Sequence, residues 1–373
     1  MLDNLARQRE SNAADPIDVV GAVHDIAART LSPLVQNIDR EGFYPEDVMR
    51  AFGRAGAFGT HLPLPDGSAD LGVAIRAMSA AGELCLSTSF CMWCQDALAW
   101  YIAASQNETL KQDLGRRIAS GEALGGTALS NPMKTFFGIE QIRLKARRVD
   151  GGYLVRGLLP FVSNLGPDHF FGAVFEIEEQ KRYVMAVVPC AADGVTLADN
   201  TKFVALDGTR TFSVQMRDVM IADALVLADP SDSYIKRIRA GFVLLQAGMG
   251  FGLIRGCVAL MRQAKGPLGH VNKYLDIQPE QLEEQLAVME ADVARLAATP
   301  FEIDPSYWRA VIEARLAASE ASITAAHAAM LHCGARGYVT TGAAQRRLRE
   351  AYFIAIVTPA IKQLKKMLAE MAN

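Results

Sequence analysis

Two cysteines three residues apart, Cys91 and Cys94, have the type and spacing that most directly suggest chemistry. A C-x-x-C pair can cycle between dithiol and disulfide, or supply half of a tetrahedral metal site. Its surroundings argue against both uses. The pair sits in Ser87 to Trp100, which reads as an apolar helix rather than a strand-to-helix turn, and no second Cys or His pair stands at ligand spacing. Cys85, Cys190, Cys257 and Cys333 are scattered without a framework pattern. The opening Met1 to Asp15 is polar and mixed in charge, unlike an export signal. Core thiols in a reduced, cytoplasmic protein are expected, with no metal.

The elements that must position any site fall into three blocks. Only Gly125 to Ile221 reads as β-structure. There Gln141, Arg143, Lys145 and Arg147 alternate with Ile142, Leu144 and Ala146, a period of two that marks a strand with one wet face. Asp150-Gly151-Gly152 tolerates a tight turn, and Tyr153 to Arg156 returns as a second strand. Phe161 to Ser163, His169 to Ile177 and Arg182 to Val188 add apolar or β-branched runs. Thr211, Ser213 and Gln215 then alternate with Phe212, Val214 and Met216. Short strands broken by Gly, Pro and Asp predict a small β-barrel or sandwich. On this evidence alone, Phe161 and Ser163 are ordinary strand residues.

Helical periodicity surrounds this block. Asp15-Pro16 pairs an N-cap with proline at the first helical position, ahead of Ile17, Val20, Ile26, Leu31, Leu34 and Ile38 on one face. A second helix opens at Pro45 and runs out by Gly56; after a loop at Pro63, Pro65, Asp66 and Gly67, helical pattern continues from Gly72 to Ala119. Beyond the strands, a long helix is expected from Ser233 to Lys265, ended by Gly266-Pro267-Leu268-Gly269. Its apolar run from Ala240 to Ile254, bracketed by Arg239 and Arg255, is shorter than the ~20 residues a bilayer requires. A buried core helix is predicted. Pro279 starts the next helix, with Leu282, Leu286, Met289, Val293 and Leu296 as a packing seam. Asp304-Pro305 starts another, with Trp308, Ile312, Leu316 and Ile323 on one stripe, ending at Gly334 and Gly337. In the last segment, from Ala343, Thr358-Pro359 reads as an N-cap plus proline, which predicts two consecutive helices. The expected fold is mainly α with a central β-domain: an α-helical domain over residues 1–122, a β-domain over 123–228 and a four-helix bundle over 229–373. A formal net charge of −3 gives no electrostatic case for nucleic acid or an anionic membrane.

This order of blocks resembles the acyl-CoA dehydrogenase family of flavoproteins. Leu114 to Glu122 followed by Thr127-Ala-Leu-Ser-Asn-Pro132 is similar to that family's linker and its Thr-Glu-Pro loop over the flavin. Val155-Arg-Gly157 with Pro160-Phe-Val-Ser-Asn164 resembles its strand ending in W-I-T-N. Leu206 to Thr211, Met216 to Ile221, Cys333 to Tyr338 and Arg347 to Glu350 resemble further family pieces in the right order. The resemblance implies FAD as cofactor and an acyl-CoA or similar acyl substrate. It also implies a homotetramer, or a hetero-oligomer with an active homologue. A flavin ring is flat and apolar with polar edges. By the resemblance, Phe161 stands where a Trp packs on the ring and Ser163 where a Thr hydroxyl meets N5. Groups around Leu129 and Ser130 would hold the pyrimidine edge.

The departures concern the chemistry. The family's usual base is a Glu, and its position here is Thr358; the alternative position on the first bundle helix falls near Phe242. The arginine segment that reaches the cofactor's pyrophosphate is replaced by Lys265 to Gly269. Glu320 and His332 are the candidate replacement bases, each with an ordinary structural use as well. Three readings follow: a flavin-dependent oxidoreductase on an acyl thioester with its base elsewhere, a flavin monooxygenase needing no such base, and a degenerate subunit.

Overall fold

The computed structural model describes residues 18–64 and 66–372. The expected cap at Asp15-Pro16, Ile17, the segment before it and Pro65 lie outside the described residues. Within them, Asp18 is the N-cap of α1 (Val19–Ile26), its carboxylate accepting the Gly21 N–H at 2.9 Å. Helices α2 (Val35–Glu41), α3 (Glu46–Arg54), α4 (Gly72–Gly82) and α5 (Leu86–Ala104) follow. The pattern from Gly72 to Ala119 is therefore several helices, interrupted at Glu83–Cys85 and again beyond Ala104, where Asn107 caps a short turn. Every residue of α5 from Leu86 to Ile102 is buried, so this helix is apolar on all sides because neighbours cover all sides. Its indoles donate to carbonyls across the interface, Trp93 to Phe242 at 3.2 Å and Trp100 to Ile238 at 3.0 Å. Cys91 and Cys94 lie in this core, and burial raises both thiols.

Among the described residues, eight strands form one mixed sheet: β1 (Gly125–Thr127), β2 (Lys145–Val149), β3 (Gly152–Val162), β4 (Phe170–Ile177), β5 (Arg182–Pro189), β6 (Val195–Ala198), β7 (Phe212–Ala222) and β8 (Val226–Ala228). The order is β6-β7-β3-β2-β4-β5-β8, with β1 beside β4. The sheet curls over a core of its own: Val155, Val219 and Ile221 from β3 and β7 share one cluster with Phe171, Phe175 and Val184 from β4 and β5. Alternate residues of the same strands, Val174, Met185 and Val187, join the helical core instead. Period-two patterning thus fuses sheet and helices. Two strand expectations change. Gln141 to Leu144 precede β2 rather than forming it, because the Gln141 carbonyl and the Arg143 N–H of this segment are taken by the Asn131 side chain. Phe161-Val162 closes β3, an eleven-residue strand with register shifts near Gly157 and Leu159, rather than forming its own. Gly126 allows close passage here, since a Cβ on it would lie 2.1 Å from the Ser163 carbonyl.

Helix α6 (Ser130–Phe136) links β1 to β2. Beyond the sheet come α7 (Asp232–Leu245), α8 (Ala247–Asn272), α9 (Pro279–Ala297), α10 (Pro305–Cys333), α11 (Ala343–Ile356) and α12 (Ile361–Glu370). The Gly266-Pro267 signal does not end its helix, which continues to Asn272. Pro267 deprives only the carbonyl of Gln263, an exposed residue, of its helical donor. The continuous rod from Asp232 to Asn272 is long and apolar enough to cross a membrane, yet 83% of its most apolar window is buried inside the fold. The α9 seam Leu282, Leu286, Met289, Val293 and Leu296 is buried throughout. At the last junction Ala360, not Thr358, is the cap of α12, and the Gln363 carboxamide oxygen accepts the Ala360 N–H at 2.7 Å.

Candidate functional site

Where β3 ends, the sheet, the first helical block and the bundle meet around a cavity of about 360 Å³. Leu159 to Ser163 form one wall, and Phe203, Ala205, Leu206, Thr209 and Thr211 continue it from the neighbouring loop. Helix α6 contributes Ser130, Asn131 and Lys134; α11 and its exit contribute Phe353, Ile356, Val357 and Thr358. Of the residues singled out from sequence, Ser130, Phe161, Ser163 and Thr358 are brought together here. Leu129 is not a lining residue: its side chain is fully buried, and its N–H is spent on the Thr127 hydroxyl at 3.1 Å.

The wall has a flat, aromatic character. The register shift at the end of β3 turns the Phe161 ring out of the sheet core, leaving it 56% exposed. Phe203 meets it edge to face, with centroids 5.6 Å apart. Phe90 and Phe353 pair likewise at 4.6 Å, from α5 and α11. Such rings offer planes for a flat apolar ligand.

A chain of hydroxyls forms the polar edge, and its direction is fixed. The Thr209 hydroxyl donates to the Leu206 carbonyl at 2.7 Å. Each hydroxyl has one proton. Thr211, 2.8 Å from Thr209, must therefore donate to it, and Ser163, 2.6 Å from Thr211, must donate to Thr211. Ser163 consequently presents only lone pairs to the cavity. Neither Thr209 nor Thr211 was singled out from sequence; the signal was present in the alternation starting at Thr211, but its meeting with Ser163 depends on the β3–β7 pairing.

The charged part of the lining is Lys134, Glu140 and Arg143. Glu140 lies 3.2 Å from each cation. Partial burial would raise its carboxyl, but hydrogen bonds from Asn131 and Lys134 hold it below the usual range. Among the described lining residues it is the one carboxylate, and it is engaged. Thr358 has its carbonyl held by Gln246 Nε2 at 2.9 Å. The candidate replacement bases lie elsewhere. Glu320 pairs with Lys365 at 2.8 Å on the bundle surface, and His332 is buried against the Ile277 carbonyl at 2.9 Å. The residues present suit a flat aromatic ring with polar edges. Lys265 to Gly269, by contrast, are a turn of α8 outside the lining.

Comparison with known proteins agrees with this geometry. Residues 17–122 match the model of the acyl-CoA dehydrogenase N-terminal domain. A probable acyl-CoA dehydrogenase of Bacillus subtilis, YngJ, is 23% identical over 360 residues, covering 90% of this chain and 91% of that protein. Butyryl-CoA dehydrogenase from Megasphaera elsdenii superposes with a TM-score of 0.85 at 17% identity, covering 97% of this chain and 98% of that one. Dibenzothiophene monooxygenase from Paenibacillus superposes with a TM-score of 0.76 at 15% identity, covering 94% and 96%. The fold is thus that of the acyl-CoA dehydrogenases, a class of flavin oxidoreductases. Residues 17–122 are similar to that family's N-terminal domain, and acyl-CoA dehydrogenases align with most of the chain.

Proposed function

We propose that this chain is an FAD-dependent oxidoreductase that holds its flavin ring at the Phe161–Ser163 wall and does not remove an α-proton with a residue at position 358. One observation carries this reading: the cavity unites Ser130, Phe161, Ser163 and Thr358, while the one carboxylate among its described lining residues, Glu140, is engaged by Lys134 and Arg143. A bound flavin supplies a two-electron acceptor or, once reduced, a partner for molecular oxygen. The chain's own groups do the rest. Phe161 and Phe203 pack on the ring plane, the apolar α11 face excludes water, and Ser163 accepts a hydrogen bond from a ring-edge N–H. A threonine hydroxyl has no accessible anionic form near neutral pH, and general bases contribute on the order of 10²–10⁴-fold.

Of the two chemistries, the oxygen-dependent one, monooxygenation of a small acyl or aromatic substrate, is favoured by the same missing base. The similarity to a dibenzothiophene monooxygenase fold is consistent with it. A homotetramer and a cytoplasmic location, suited to six free thiols, belong to the same proposal. The test is absorbance of gel-filtered protein after addition of FAD. A flavin spectrum that coelutes with the protein is expected, and absence of binding at excess FAD would leave the degenerate-subunit reading in its place.

A further inference from the structure

The rim of the cavity carries charge that its apolar walls do not require. Lys134 and Arg143 face a single carboxylate, Glu140, so the cluster holds one net positive charge. Arg143 spends Nη2 on Glu140, and its Nε and Nη1 donors have no acceptor among the described residues. The cluster is also built rather than draped. The Asn131 side chain, itself 6% exposed, donates to the Gln141 carbonyl at 2.9 Å and accepts the Arg143 N–H at 2.9 Å. The Thr135 hydroxyl in turn donates to the Asn131 carbonyl at 3.1 Å. One buried carboxamide thereby pins the segment bearing Glu140 and Arg143 onto the helix bearing Lys134. Pre-positioned donors lose less on binding than free side chains, and a guanidinium fork beside an ammonium suits tetrahedral oxyanions.

We propose that Lys134 and Arg143 form a phosphate-binding site at the mouth of this cavity, with Glu140 holding the two cations apart until the anion arrives. The site rests in part on the flavin reading, because the phosphate has two possible sources: the cofactor's own phosphates or a phosphorylated substrate.

Binding of riboflavin, FMN, FAD and inorganic pyrophosphate to the full-length protein separates the possibilities. Wild type, Lys134→Gln, Arg143→Gln, Glu140→Gln and the remote control Arg262→Gln would be titrated by calorimetry at low and moderate salt. If the cofactor is the source, FMN and FAD bind wild type more tightly than riboflavin. Arg143→Gln then erases about tenfold of that difference, leaves riboflavin unchanged, and Glu140→Gln strengthens FMN. If a substrate is the source, flavin affinities are equal across the variants while pyrophosphate binding falls about tenfold in Lys134→Gln and Arg143→Gln. Pyrophosphate binding without any flavin binding would keep the rim and discard the flavin reading. Riboflavin, FMN and pyrophosphate all indifferent to Lys134 and Arg143, or losses equalled by Arg262→Gln, would overturn the proposal.

Discussion

The two ends of α11 differ sharply in how they handle charge. Near its start, Arg346, Arg347 and Glu350 are almost wholly buried, with Glu350 accepting from Arg346 at 2.8 Å and from Arg347 at 2.9 Å. Arg347 also donates to the Gly82 carbonyl at 3.1 Å and to that of Glu83, stapling the bundle to α4. Burial would raise the Glu350 carboxyl, but the two guanidinium groups hold it below its ordinary value. At the other end, Phe353, Ile356, Val357 and Thr358 face the cavity with no ionisable group at all. A cation stands behind that wall: Arg315, fully buried, donates to Gln246 Oε1 at 2.6 Å, the Ile354 carbonyl at 2.8 Å and the Ser319 hydroxyl. Desolvation lowers it to about 10, so it remains charged near neutrality. One helix thus keeps an ionic staple for the fold and presents a neutral face to the cavity.

Substitutions at the two ends should therefore act on different properties. The largest effect is expected for Glu350→Ala, which strands two buried guanidinium groups and should cost roughly 3–5 kcal/mol in chemical denaturation. Thr358→Val, at the neutral end, should change stability by less than ~1 kcal/mol. Equal losses from the two would erase the contrast. Arg315→Met comes next. It leaves Gln246 Oε1 and the Ile354 carbonyl without donors, and should cost about 2 kcal/mol by the same measurement.

A third expectation concerns pH and a second buried pair. His61 Nδ1 and Asp96 Oδ1 approach to 3.7 Å in full burial, and neither atom has a hydrogen-bond partner among the described residues. Desolvation lowers His61 to about 4 and raises Asp96 well above the usual carboxylate range, so the contact is neutral. An unfolded chain ionises Asp96 above about 3.8 and protonates His61 below about 6.5. Between those values the two slopes oppose each other. Above 6.5 only the carboxyl contributes, so stability should fall with rising pH, by at most ~1.4 kcal/mol per unit. Denaturation midpoints from pH 6.5 to 8 should show that decline in wild type and lose it in Asp96→Asn. A decline of equal slope in both proteins would show that Asp96 is not its source.

The smallest effect tests the direction of the hydroxyl chain. Thr211→Val removes the group that takes Ser163's proton, turning Ser163 toward the cavity as a donor. Ser163→Ala removes the group altogether. Ring affinity should shift by about 1 kcal/mol in each, with distinct changes in the absorbance of bound riboflavin. Identical spectra in wild type and Thr211→Val would contradict the assigned direction.

Much of this fold follows from periodicity, because helix stripes and strand alternation each record one neighbour. The α9 seam and the Asp304-Pro305 start are of that kind. Local signals misled where a distant group decided the outcome. Thr358-Pro359 looked like a cap, but Gln363 supplies the capping bond at Ala360 while Gln246 takes the Thr358 carbonyl. Gly266-Pro267 looked like a stop, but the carbonyl that loses its helical donor belongs to an exposed residue, which makes the proline tolerable. In the site, Phe161, Ser163 and Thr358 were reached through motif resemblance. The Lys134–Glu140–Arg143 cluster was not, because it exists only once Asn131 draws its segment across α6. Thr209 and Thr211 gain meaning only from the pairing of β7 with β3.

The central claim is that the cavity wall, the end of α11 included, offers no working base, and anaerobic mixing of FAD-loaded protein with saturated straight-chain acyl-CoAs tests it most directly. Wild type should not bleach its flavin, whereas Thr358→Glu, which places a carboxylate on the cavity wall, should gain slow bleaching. Rapid bleaching of the wild type by any such acyl-CoA would contradict the claim and show that a cavity-wall residue serves as the base.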